Sequence, residues 1–456
     1  MHWLRPEEVV EEVKARLRPS PEERERVGGI ASRALNAAAR ALADLGLEGE
    51  ARLGGSYAHG TWLAGHADID VFVLLQPEVN LEDEGLRVAG RALDIMGAER
   101  VERKYAEHPY LSGRVDGIDV EVVPCYRVQR GRWISAADRS PYHTEYLLAR
   151  LTDAMRDEIR VAKAFMIAQG VYGAEIKVRG FSGYLVEVLV LKYGGLIELM
   201  RAATYWRMGE VLALETLPAD FRPQQRAGAL IIVPDPVDPR RNLGAAVSAW
   251  SLGRFIASSE AFLEHPRGEF FERQASLGRP LEPEDVAPNS ITLVIEKPSE
   301  PEDILWGELW RTVRGLSRYL GSRGFQVLAY AAGEDDRTIA VSLLLDSLRC
   351  CRVELRRGPH IMMAEARRQF LDASKDKGPV WIDENGRMFS TLIAEERSAF
   401  DELRAAIRDP VRIAGASRGL EGVLRSARIL QGMEALHGDE SARKSLSGLA
   451  YGRQLA

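Results

Sequence analysis

Cysteine is scarce in this chain: Cys125, Cys350 and Cys351 are the three among 456 residues. Three thiols cannot build a disulfide framework, and no Cys-x-x-Cys spacing offers a zinc site. Cys350 and Cys351, adjacent in an apolar stretch, read as buried thiols. Long apolar runs are missing too. Without about 18 consecutive apolar residues, no helix is expected to cross a membrane. The first residues, Met1-His-Trp-Leu-Arg-Pro-Glu-Glu, are charged at once and lack the apolar core of a signal peptide. A cytoplasmic protein is expected. An excess of positive charge is also absent, since the formal net charge is −6. That argues against a protein coating nucleic acid over its whole surface, but leaves room for a local basic footprint. No segment is of low complexity and no internal repeat stands out. The rest is ordinary for a globular protein, 46% hydrophobic and 28% charged, with length for several domains that each hold a core.

The chemistry is concentrated in residues 54–75. A small-residue turn, Gly55-Ser56, precedes two acids, Asp68 and Asp70, which lead into the apolar run Val71 to Leu75. In a strand, side chains at i and i+2 share a face, roughly 6.6–6.8 Å apart. Asp68 and Asp70 then stand together, with Ile69, Val71 and Val73 on the other side. Paired carboxylates repel unless a positive charge lies between them, and a hard cation with oxygen ligands, Mg²⁺ above all, suits that place. A second stretch, Gly117-Ile-Asp-Val-Glu-Val-Val-Pro-Cys-Tyr126, alternates likewise, with Asp119 and Glu121 on one face. Beside the first strand it would add a third carboxylate. Three acids around two ions roughly 3.5–4 Å apart is the arrangement of two-metal phosphoryl transfer. The Gly55-Ser56 turn is then placed to hold a triphosphate.

With these residues in place, the chain resembles the nucleotidyltransferase superfamily that includes DNA polymerase beta. More narrowly, it is similar to the archaeal-type (class I) CCA-adding enzymes, which are tRNA nucleotidyltransferases. Tyr105-Ala-Glu-His-Pro-Tyr110, Val122-Val-Pro-Cys-Tyr126, Tyr172-Gly-Ala-Glu175, Lys177-Val-Arg-Gly-Phe-Ser-Gly-Tyr184 and Asp235-Pro-Val-Asp238 followed by Arg241-Asn242 occur in that family's order. The resemblance implies two Mg²⁺ ions on Asp68, Asp70 and Glu121. It implies that Gly55, Ser56, His59, His143, Lys163 and Tyr172 line the triphosphate, and that Arg241 faces the base. CTP and ATP would be the substrates, tRNA the acceptor, and pyrophosphate the leaving group. The family's first pair is usually Glu then Asp, where both are Asp here. Glu121 stands where Asp is usual, and His59 where Arg or Lys is usual. Plainer readings exist for each binding residue. Lys163 fits the polar face of an amphipathic helix, Tyr172 and Tyr184 fit a core, His143 fits an exposed first turn, and Arg241 a solvated pair with Arg240.

The fold class expected is multidomain α+β: a polymerase-beta-like nucleotidyltransferase head at 1–142, a mostly helical neck at 143–264, and an α+β body and tail at 265–456. Helices are expected within 6–47 and near 82–97, and strands near 101–106 and 118–124. A short strand is expected at 230–233. Later come a strand at 290–296, a helix at 302–323, strands near 325–331 and 338–345, and helices near 361–374 and 396–408. A hairpin is expected at Asp383-Glu-Asn-Gly386. The last forty or so residues read as polar, Gly-rich and helical in part, with no role legible. Arg349, Arg352, Arg356 and Arg357, with Arg367 and Arg368, form an arginine-rich stretch flanking Gly358-Pro359-His360, after which a helix is expected, an arrangement suited to RNA phosphates. Two rivals stand beside CCA addition: a poly(A) polymerase-like terminal RNA nucleotidyltransferase, and a non-catalytic RNA-binding relative. The retained carboxylates speak against the second. A homodimer is one option for its assembly.

Overall fold

The computed structural model describes residues 5–105, 109–217, 221, 229–272, 278–279, 281–350, 353–393 and 396–452. The chain forms two compact units, Met1–Leu277 and Gly278–Ala456.

The first unit opens with α1 (Pro6–Leu17) and α2 (Pro21–Asp44). Each has proline in its first turn, where a missing N–H costs nothing, and the Ser20 hydroxyl caps α2 by accepting from the Glu23 N–H. The strands that follow are β1 (Gly49–Gly54), then β2 (Asp68–Leu75) after the short α3 (Gly55–His59). Beyond α4 (Leu86–Met96) come β3 (Glu99–Tyr105), β4 (Pro109–Val115) and β5 (Ile118–Tyr126). They make one sheet in the order β1-β2-β5-β4-β3, with β2 and β5 parallel and the other neighbours antiparallel. Ile69, Val71, Val73, Val120 and Val122 are buried in a core shared with the alanine stripe of α2 and with Val88, Ala92 and Leu93 of α4. Each aliphatic side chain so buried contributes about 1.5–3 kcal/mol. That core fixes the register, because a slip by one residue would turn the valines outward and the acids in.

The first unit continues with α5 (Ser140–Leu148), α6 (Asp153–Ala168), α7 (Gly183–Tyr193) and α8 (Leu196–Ala203). A parallel pair of two-residue strands, β6 (Glu210–Val211) and β7 (Ile231–Ile232), then leads to α9 (Ala249–Glu264). Phe165 packs against Phe255 and Phe262, with ring centroids 6.2 and 6.1 Å away, and Val9, Val10 and Val13 of α1 join this core.

The second unit begins with α10 (Pro283–Val286), β8 (Ser290–Glu296), α11 (Glu302–Ser322), β9 (Val327–Glu334) and β10 (Thr338–Leu345). It continues with β11 (Val353–His360), α12 (Ala364–Ser374), β12 (Val380–Ile382), β13 (Arg387–Ile393) and α13 (Ala399–Ala406). It ends with α14 (Pro410–Ala414), α15 (Glu421–Arg425), β14 (Arg428–Gln431) and α16 (Glu440–Ala450). One antiparallel sheet runs β14-β8-β10-β9 and a smaller one β11-β13-β12. Leu305, Trp306, Leu309, Val313 and Leu316 of α11 are buried with the inward side chains of the larger sheet. Cys125 is buried, and Cys350 is half-buried rather than fully enclosed as expected. Cys351 lies outside the described residues. Among the described residues no helix is long and apolar enough to cross a membrane.

Candidate active site

The parallel pairing of β2 with β5 sets Asp68 opposite Asp119 and Asp70 opposite Glu121. Residues paired across neighbouring strands share a face, so the acids of the two inner strands stand together on one face of the sheet, with Ile69 and Val120 on the other. Gly55 begins the turn that meets this face, in the left-handed region at φ 61°. A Cβ there would lie 1.7 Å from Asp70 Oδ2, so the carboxylate occupies the space that the glycine leaves. Ser56 Oγ donates to Asp68 Oδ1 at 3.0 Å, and Lys104 Nζ donates to Glu121 Oε1 at 2.8 Å. Burial, then the negative charges of Asp68 and Glu121, push the Asp70 carboxyl well above the usual carboxylate range. As they stand, the acids are not gathered into a closed shell. Among the described residues no three His, Cys, Asp or Glu side chains converge closely enough to hold an ion. The donor set nevertheless fits one. Hard carboxylate oxygens on adjacent strands suit Mg²⁺, and a cation there would oppose the burial and like-charge repulsion that raise Asp70.

Behind the turn, α6 is stitched to residues 59–62 by side chains at i, i+4 and i+7, which share one helix face. Arg156 Nε donates to the His59 carbonyl at 2.9 Å, Arg160 Nε to the Trp62 carbonyl at 3.0 Å, and Lys163 Nζ to Thr61 Oγ1 at 3.0 Å. Lys163 is 3% exposed, so it does not belong to a solvated helix face. Burial would favour its neutral amine, but the Glu187 carboxylate outweighs that and raises it above the ordinary lysine value. Among the other charges acting there, Lys163 favours the ionised form of Asp70 and Asp68 favours the charged form of Lys163, so the two sites are electrostatically linked. His59 requires a correction. Its ring is buried, with Nδ1 3.0 Å from Glu187 Oε2 and Nε2 3.1 Å from Thr144 Oγ1. Both nitrogens are committed, which leaves neither for a phosphate.

Against its burial, Lys163 and His59 hold the Glu187 carboxyl at about 2, below its ordinary 4.5. A carboxyl depressed on folding stabilises the fold above its unfolded value, and that stability is lost as pH falls through the folded one. The window here runs from about pH 4.5 down to about 2. Chemical unfolding of the wild-type chain and of Glu187→Gln, compared between pH 6 and 3, is expected to show their stabilities converging as acid is added. A gap that stays constant would remove Glu187 from the account of acid stability.

His143, on α5, is also buried rather than exposed in a first turn. Its Nε2 lies 2.8 Å from Asp235 Oδ2, and its ring stacks on Tyr184 at 4.0 Å. Burial lowers its pKa against the opposing pull of Asp235. Arg241 Nη1 is 3.5 Å from the same carboxylate oxygen, and its side chain is 42% exposed. His143 and Arg241 line one cavity of about 1430 Å³ with Trp133, Arg139 and Tyr184. Ser56, Lys163, Tyr172 and the three acids are not among its lining residues, although Ala174 and Ser182, close neighbours of Tyr172 and Gly183 in the chain, are. The structure therefore assembles three groups: the acids with the Ser56 turn, the Lys163 network, and the His143–Arg241 cavity. Lys104, Glu187 and Asp235 were not singled out for roles in the sequence. Glu187 carried the clearest signal, a lone acid in the run Leu185-Val-Glu-Val-Leu189.

The arginines of the second unit are spread over a strand and the helix after it, with Arg367 and Arg368 on α12. Arg356 and Arg357 stand on β11, and Arg352 lies outside the described residues. Gly358 and Pro359 look like a helix-preceding break, yet the strand runs through them with an irregular register. Arg349 Nη1 lies 3.4 Å from Glu396 Oε1. Arg356 lies over the Phe370 ring of α12 at 5.8 Å. Arg357 is on the opposite face, in register with Phe389 and Trp381, whose rings stack 6.0 Å apart.

Three families match by sequence: a nucleotidyltransferase domain over residues 35–143, the second domain of tRNA nucleotidyltransferase over 157–272, and the C-terminal domain of CCA-adding enzyme over 288–430. The CCA-adding enzyme of Sulfurisphaera tokodaii is 35% identical across 87% of this chain and 90% of its own length. That of Methanopyrus kandleri is 36% identical across 84% and 82%, and that of Pyrobaculum neutrophilum 36% across 78% and 82%. Among solved structures, the RNA terminal uridylyl transferase Cid1 is similar at a TM-score of 0.47 and 15% identity, over 58% of this chain and 97% of that one.

Proposed function

The chain belongs to the CCA-adding enzymes, and from that premise we propose that it completes tRNA 3′ ends from CTP and ATP, with pyrophosphate leaving. The register that sets Asp68 and Asp70 beside Asp119 and Glu121 is the observation that carries this reading. Asp68, Asp70 and Glu121 would hold two Mg²⁺ ions. Metal bound there lowers the pKa of the tRNA 3′-hydroxyl and neutralises charge on the triphosphate. The turn at Gly55 and Ser56 borders the phosphates, with Lys163, Tyr172 and His143 as donors and Arg241 facing the base. His59 supports the turn from behind. Most of the rate enhancement then comes from positioning and fixed charge.

Incubation of the protein with tRNA lacking its CCA end, and with each nucleoside triphosphate separately, tests this. CTP alone is expected to add two residues, and ATP one more only after them. ATP-only tails on any RNA would mean a poly(A) polymerase-like enzyme, and no incorporation at all a non-catalytic relative.

On the second unit, Arg357 is the stronger candidate for an RNA contact, because its face carries Trp381 and Phe389 while Arg356 lies against Phe370. Arg357→Ala is expected to weaken tRNA binding several-fold and to lower the salt slope by about one. Arg356→Ala should do less. Equal affinities and slopes for both variants and wild type would leave these arginines a solvated surface.

A further inference from the structure

Glu187 has no part in the nucleotide grip just described, yet it is 2% exposed in a helix otherwise lined by leucine and valine. A carboxylate so buried is costly unless its partners compensate for it. Its partners come from three elements. Oε1 accepts from Lys163 Nζ of α6 at 3.0 Å and from Thr61 Oγ1, just past α3, at 2.5 Å. Oε2 faces His59 Nδ1, the last residue of α3, at 3.0 Å. The tie therefore joins the turn that follows Ser56 to the helix that carries Lys163.

One helical turn before Glu187, on the same face of α7, stands Gly183. A Cβ there would lie 2.9 Å from Tyr172 Oη and 3.9 Å from Lys163 Nζ. The helix is thus bare where the Tyr172 hydroxyl and the Lys163 ammonium approach it, and charged one turn further on. A lysine side chain is long and flexible, and its freedom is costly to restrain at the moment of binding. Two short bonds, to Thr61 Oγ1 and Glu187 Oε1, restrain it beforehand.

We propose that Glu187 is a positioning residue for the nucleotide site, fixing the Lys163 ammonium beside Tyr172 and locking it to the His59–Thr61 turn. The inference rests on the reading of Lys163 as a triphosphate ligand. A counter-ion that only steadied the fold would lower stability and leave the kinetics of nucleotide use alone. A positioning residue acts through Lys163, so its effect vanishes once Lys163 is gone.

The test is steady-state kinetics of the full chain on tRNA lacking CCA, with CTP and tRNA varied in turn. Glu187→Gln keeps the size and one acceptor oxygen. It is expected to raise KM for CTP about 10-fold, with KM for tRNA unchanged. In a Lys163→Met background the same change should cost less than about 2-fold in kcat/KM for CTP. If Glu187→Gln prevents folding, Thr61→Val removes one tie of the same network and carries the same comparison, with a smaller shift in the same direction. Equal losses with and without Lys163, or a lower melting temperature with both KM values unchanged, would overturn the positioning role. If Lys163→Met alone leaves KM for CTP unchanged, the triphosphate reading of Lys163 has failed, and the inference with it.

Discussion

Asp70→Ala is expected to lower CTP incorporation into CCA-less tRNA by on the order of 10³-fold or more, with tRNA binding largely intact. The size follows from where Asp70 sits. It is the carboxylate nearest both partners, paired with Glu121 across β2 and β5 and one strand pleat from Asp68. Burial, and then the charges of Asp68 and Glu121, push its carboxyl well up. Removing it takes away the carboxylate that stands between Asp68 and Glu121 on that face. Binding of tRNA should survive, since the change removes a negative charge and no cation. Filter binding and single-turnover extension on the same preparation measure the two effects. Incorporation within a few-fold of wild type would take Asp70 out of the mechanism.

Gly55→Ala is expected to reduce transfer by about 10²-fold, although no functional group is removed. The added methyl would meet Asp70 Oδ2 at 1.7 Å and its Cγ at 2.7 Å, so the carboxylate must turn away from Asp68 and Glu121. The backbone adds a second penalty. At φ 61° a side chain costs about 1–2 kcal/mol. A lower unfolding midpoint, normal tRNA affinity and a collapsed rate should therefore appear together. An alanine variant with the wild-type rate would show that the carboxylate works in some other rotamer.

The acids were legible in the sequence because a period of two places Asp68 with Asp70 and Asp119 with Glu121, and the apolar residues between them have to be buried. The two strands flanking that pair were not. Glu50 and Arg52 alternate with Ala51 and Leu53 on β1 in a half-exposed strand, and β4 begins with Pro109 and contains Gly113, which read as breaks. The polar end of the chain misled differently. Ser441 and Ser445 of α16 look like solvent-facing residues, yet both are fully buried. Their hydroxyls bond to Thr338 and Ser342 of β10 at 2.7 and 2.6 Å, which satisfies polar groups that sequence alone assigns to water. The site's binding residues divide by the same logic. The residues proposed to face a ligand follow motifs, and Asp235, which holds His143, lies in one of them, whereas Glu187 holds other side chains and shows only as an isolated acid among apolar neighbours. His59 had the opposite fault: its place in the turn suggested a phosphate contact, and only the positions of Glu187 and Thr144, far along the chain, reveal that its ring is already occupied.

Crystals of the protein grown with CTP and with Mn²⁺ in place of Mg²⁺ would locate the metal by its anomalous scattering. Peaks are predicted at bonding distance, roughly 2.0–2.6 Å, from oxygens of both Asp68 and Asp70, one of them also reaching Glu121. Bound CTP with manganese away from these carboxylates, or ordered CTP with no metal beside them, would contradict the account.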